Sequence, residues 1–183
     1  MLRDIFTLID FLKYQKKVKR VFFFENSFIE NHLAPYIEKN KNINETIIIS
    51  LYKIQKKNLK KFKIFQFNKL FFLNLFFLLL KIKYCYSSTP DIDNSAFQRS
   101  VFKKTKYIYI QHSPVGLNKI YRDNAFTNFD VVQVVNSFQK NDLINISKMK
   151  NKKIKFWRAK YLFLSDENNK ESKFNINKQE KKK

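Results

Sequence analysis

The chain has 183 residues, 44% of them hydrophobic and 17% aromatic, which suits one ordinary domain with a sizeable core and excludes a wholly disordered protein. Its formal charge of +22 points toward nucleic acid, anionic lipid or a phosphorylated substrate, yet names none of them: Lys, Asn, Ile and Phe abound while glycine occurs once, the composition of a coding sequence very rich in A and T. Cys85 is the one cysteine, so no internal disulfide forms, and together with His32 and His112 it is too thin a set for a structural zinc site; no cofactor is expected.

Leu2, Ile5, Phe6, Ile9 and Leu12 recur at helical spacing, with Leu8 and Phe11 widening the stripe, so residues 1–19 read as an amphipathic helix. Docking on the domain is the commoner fate of such a helix. The alternative is a membrane surface, where Lys13, Lys16, Lys17, Lys19 and Arg20 would meet anionic headgroups. Asp4 and Asp10 interrupt the apolar stretch and the positive charges follow it, unlike a secretory signal; a cytoplasmic protein, peripheral at most on the inner face of the plasma membrane, is expected.

Val21 to Phe24 is a short apolar run of the kind a strand covered on both faces requires, and Ser27-x-x-Glu30 after it has the spacing of a capping box. The helix so begun turns Phe28, Leu33, Tyr36 and Ile37 inward and ends near the polar stretch 40–44. Strands follow at 46–50 and 62–67, joined by a lysine-rich connection, then a buried helix over 69–80 and a fourth strand over 83–88. The apolar run from Leu70 to Leu80 is 11 residues broken by Asn74, against the roughly 20 that span a bilayer. A turn at Thr89-Pro90-Asp91 and a short helical stretch precede strands at 106–111 and 130–135; a helix over 136–149 and a strand over 153–157 close the series. Such alternation predicts an α/β, Rossmann-like, mainly parallel sheet with helices on both faces, spanning 20–165. From Asp166 onward the chain is polar, charged and without period, as a disordered basic tail is.

The lone Gly116 excludes the dinucleotide fingerprint and the P-loop, which need several glycines for close backbone approach to phosphate; the turn Glu25-Asn26-Ser27 after the first strand has none. The hydrolase elbow is likewise missing. His112, by contrast, ends a buried strand and meets a Ser-Pro turn, at the carboxyl edge where open α/β sheets keep their ligands. It titrates near neutrality and is the one candidate for general-base chemistry. A histidine satisfied by a neighbouring backbone group is the competing reading.

The run from Tyr107 to Leu143, with His112, Ser113, Tyr121, Ala125, Phe126, Phe129 and Asp130, resembles the corresponding block of CDP-glycerol glycerophosphotransferase-like (teichoic-acid-type) proteins. Arg20 to Glu25 is similar to that family's first strand, and Tyr86 to Asp91 to its fourth strand and turn. The resemblance implies the amino-terminal, acceptor-side half of a GT-B-like transferase of cell-surface polymer or glycan assembly. His112 would be general base, and Glu25, Ser113 and Arg122 would bind substrate. Gly116 stands where a serine is expected, and Asn136-Ser137-Phe138 replaces a glycine-containing turn. Arg158 to Leu164 looks like the crossing into a donor domain, with only a lysine-rich segment after it, so the resemblance implies a truncated protein or a separate domain for the CDP-linked donor, and little activity alone. A polyol or glycan acceptor, lipid-linked in some cases, is the implied partner. A basic nucleic-acid-binding module using Lys53 to Lys63 and Lys148 to Lys160 is the alternative; scarce arginine and the burial expected of most aromatics speak against it.

Overall fold

The computed structural model describes residues 1–38, 42–93, 97–110, 124–134, 137–145 and 155–158. Along the chain run α1 (Leu2–Tyr14), β1 (Arg20–Phe24), α2 (Ser27–Glu38), β2 (Thr46–Ser50), β3 (Lys63–Gln66), α3 (Leu70–Leu78), β4 (Tyr84–Ser87), β5 (Lys106–Ile110), β6 (Val131–Val134), α4 (Ser137–Asn145) and β7 (Lys155–Arg158). The strands form one sheet in the order β3-β2-β1-β4-β5-β6-β7, and each neighbouring pair is parallel. This is an α/β, Rossmann-like fold.

Alternation along the strands sorts the core into two layers. Val21, Phe23, Ile47, Ile49, Phe65, Cys85, Tyr107 and Tyr109 face one side, where they meet Leu8 and Phe11 of α1, Leu73, Phe76 and Phe77 of α3 and Leu143 of α4. Phe22, Phe24, Ile48 and Ile110 face the other and meet Leu33, Ala34 and Ile37 of α2 together with Leu59 and Phe62. With both faces covered, β1 and β2 can only be continuous apolar runs; all four residues from Val21 to Phe24 are buried. Helices on both faces agree with the sequence expectation.

The first helix docks on the domain. Phe11 is fully buried and packs on Phe76 at 4.1 Å and edge-on to Phe65 at 5.6 Å, a burial that stabilises by about 1.5–3 kcal/mol. Asp4 Oδ1 accepts from the backbone N–H of Asn68 at 2.9 Å and from its side-chain amide at 3.2 Å, and Gln15 Oε1 accepts from the Lys81 N–H at 3.0 Å. The docked stripe is therefore Asp4, Leu8, Phe11 and Gln15. Leu2, Phe6 and Ile9, which the sequence pattern placed on the inner face, are exposed; both stripes are apolar, and the polar bonds of Asp4 and Gln15 choose between them.

Two local expectations give way to long-range contacts. Ser27 is the first residue of α2, and the buried Glu30 carboxylate accepts from the Gln55 and Lys56 N–H groups and the Tyr52 hydroxyl, holding the loop after β2 against the helix. Burial and the hydrogen bond to Glu30 push the Tyr52 hydroxyl far above its ordinary value. The connection from β4 to β5 contains no helix among its described residues. It turns instead through left-handed backbone at Asp91, Asp93 and Lys103, with φ of 63°, 67° and 52°. Glycine is the usual occupant of such positions; in a chain with one glycine, aspartate, which tolerates the conformation, takes two of the three.

Candidate functional site

In a sheet of this order the strand sequence reverses between β1 and β4, and the crevice beyond their carboxyl ends is where open α/β folds receive ligands. The β1–β4 register pairs Phe23 with Ser87, so Glu25 and Thr89 leave the sheet side by side. Thr89 Oγ1 donates to Glu25 Oε2 at 2.9 Å. Behind them, Ser87 Oγ accepts the Thr89 N–H at 3.0 Å, a short turn that fixes the threonine.

Between Ser87 and Thr89 stands Ser88, 1% exposed, whose Oγ has no hydrogen-bond partner among the described residues. A buried hydroxyl left so costs about 1–3 kcal/mol, and such atoms concentrate where a ligand or ordered water completes them. The carboxyl ends of β1 and β4 thus bring together a carboxylate, a tethered threonine and a buried, unsatisfied serine hydroxyl. That set suits a hydroxyl-bearing ligand: the carboxylate accepts from an alcohol and Ser88 can donate or accept. It suits phosphate poorly, because Glu25 brings like charge and the turn has no glycine for close backbone approach.

Of the sequence-predicted site residues, Glu25 stands at this crevice. His112, Ser113 and Arg122 lie outside the described residues; β5, which leads toward them, ends at Ile110 on the same carboxyl edge. The sequence points to the Tyr86 to Asp91 segment as a motif but carries no local signal that makes Ser88 or Thr89 a ligand contact. Their place at this end of the sheet follows from the bond of Thr89 to Glu25, 64 residues earlier.

Tyr121 also lies outside the described residues, whereas the motif residues from Ala125 to Asp130 hold the fold. Ala125, Phe126 and Phe129 are buried, with the Phe126 and Phe129 rings 4.7 Å and 5.3 Å from Tyr109. Asp130 Oδ2 accepts the Tyr107 N–H at 2.7 Å and pairs with Arg99 at 2.9 Å, while the Asp91 N–H donates to the Ala125 carbonyl at 2.8 Å. The A-F-x-x-F-D block therefore plugs one core layer and ties the loop after β4 to the entry of β6. Cys85 is wholly buried and its thiol is pushed up by desolvation, which makes it inert rather than nucleophilic. No cluster of His, Cys, Asp and Glu among the described residues is arranged to hold a metal ion, and none of their helices is long and apolar enough to cross a membrane.

No family model, curated protein or solved structure matches the chain.

Proposed function

We propose that this chain is the acceptor-side domain of a CDP-glycerol glycerophosphotransferase-like enzyme of cell-surface polymer or glycan assembly, with the CDP-linked donor held by another domain. The observation that carries the reading is the Glu25–Thr89 pair beside the unsatisfied Ser88 hydroxyl at the switch point, a polar set matched to a neutral polyol and poorly matched to a nucleotide. Glu25 accepts from an acceptor hydroxyl and orients it, and Ser88 bonds a second one. His112 takes the proton as the reacting hydroxyl attacks the β-phosphorus; the new P–O bond forms, the bond from that phosphorus to the bridging oxygen breaks, and CMP leaves. Positioning supplies most of the acceleration in such a transfer.

A nucleic-acid module is less well supported. Lys53, Lys57, Lys60, Lys61 and Lys63 are exposed, but of the aromatics near them Phe62 and Phe65 are buried and Tyr14 and Tyr52 are partly buried against the two core layers, a poor stacking platform for bases.

The test is titration of the full chain with a glycerol- or ribitol-terminated acceptor analogue, with CDP-glycerol and with single-stranded nucleic acid. The expected result is acceptor binding that Glu25→Gln weakens about tenfold, as loss of one charge-assisted hydrogen bond implies, and slow or no CMP release from CDP-glycerol by the chain alone. Acceptor binding indifferent to Glu25→Gln, or nucleic-acid binding that falls steeply with salt, overturns the proposal. So does ordinary turnover of CDP-glycerol that His112→Ala abolishes, since the donor would then be held here.

A further inference from the structure

The first helix is apolar on two opposite sides. Successive residues turn by about 100°, so Asp4, Leu8 and Phe11, all buried, form one stripe, and Leu2, Phe6, Ile9 and Lys13 form another facing away from it. Leu2 and Phe6 are 69% and 68% exposed, and Ile9 is 43% exposed. A docked surface helix needs only its inner stripe to be apolar. The Asp4–Asn68 hydrogen bonds bring the first turn of α1 to the residue two positions before α3, and there Leu70 and Phe71 are also exposed. Large apolar side chains exposed together on one helix face, as Leu2, Phe6 and Ile9 are, mark an interaction surface.

The charges around the patch indicate what covers it. Arg3 and Lys13 on the helix and Lys16 and Lys17 in the turn directly after it are exposed. The two carboxylates of α1 are both engaged: Asp4 is buried against Asn68, and Asp10 is bridged by Lys63 at 3.0 Å. A second copy of the chain would set this cationic collar against itself, which like-charge repulsion opposes. An anionic bilayer satisfies both features, taking the apolar stripe into its headgroup boundary and the lysines against its surface charge.

We propose that the outer face of α1 rests on an anionic membrane surface. The inference does not depend on the transferase reading. It is tested by sedimenting the full chain with phosphatidylcholine vesicles, with and without added phosphatidylglycerol. The chain should pellet with the anionic vesicles, and replacing Phe6 and Ile9 together with serine should weaken binding about tenfold or more, with an unchanged melting temperature because both side chains are exposed. A second measurement is independent of that variant. Cys85 is buried, so F6C and, on the opposite face of the sheet, K57C can each be labelled with an environment-sensitive fluorophore. Anionic vesicles should blue-shift the first label and leave the second unmoved. The proposal is overturned by a wild-type chain that stays in the supernatant, by equal binding to both vesicle types, by a double-serine variant that pellets as well as wild type, or by equal shifts of the two labels. A soluble dimer that the double substitution makes monomeric would assign the face to a second copy instead.

Discussion

Adjacent buried serines at the end of β4 should respond in opposite directions to the same small change. Ser87 Oγ accepts the Thr89 N–H at 3.0 Å, so Ser87→Ala strands a buried amide and should destabilise the fold by about 1–3 kcal/mol. Ser88 is 1% exposed, and its Oγ is without a partner among the described residues. Ser88→Ala removes an unsatisfied hydroxyl and leaves no donor or acceptor behind, so it should stabilise by about 1 kcal/mol. For a chain of this size the corresponding changes in melting temperature are about 2–4 °C per kcal/mol, downward for the first and upward for the second. Calorimetric or circular-dichroism melts at matched pH resolve that difference. The same Ser88→Ala chain should bind a polyol acceptor analogue less well, the expected exchange of stability against function at a binding site. If Ser88→Ala lowers the melting temperature by as much as Ser87→Ala, the Ser88 hydroxyl is satisfied within the fold, and the case for the switch-point crevice as a ligand site fails.

Asp130→Ala removes the acceptor for both the Tyr107 N–H and Arg99 and should cost about 2 kcal/mol in denaturant unfolding; a loss below about 0.5 kcal/mol would show that the A-F-x-x-F-D block does not depend on this carboxylate. Burial raises the Tyr52 and Tyr107 hydroxyls above their ordinary value of 10.0, so the folded state keeps protons that the unfolded chain releases. Their contribution to stability is complete below about pH 10 and is lost as pH rises above it. Ultraviolet titration should show these two tyrosines ionising only with alkaline unfolding, and a smooth titration of every tyrosine in the folded protein would contradict their burial.

Much of the fold was legible in the chain. Runs such as Val21 to Phe24 and Ile47 to Ile49 are apolar without alternation because both sheet faces are covered, and that local pattern is enough to predict a parallel α/β sheet. The sequence by itself also marked Glu25 at the end of the first strand and named the segment around Ser88. What only the tertiary structure decided was partnership. Two apolar stripes compete on α1, and Asn68, 64 residues from Asp4, selects the buried one. Glu30 sits at capping-box spacing but bonds the loop after β2. Glu25 meets Thr89 only because β1 and β4 lie side by side at the reversal of strand order, and Asp130 reaches Tyr107 and Arg99, 23 and 31 residues away. Periodicity is written residue by residue, whereas strand order and register arise from packing the whole chain at once, so they alone determine which distant polar groups end within hydrogen-bonding reach.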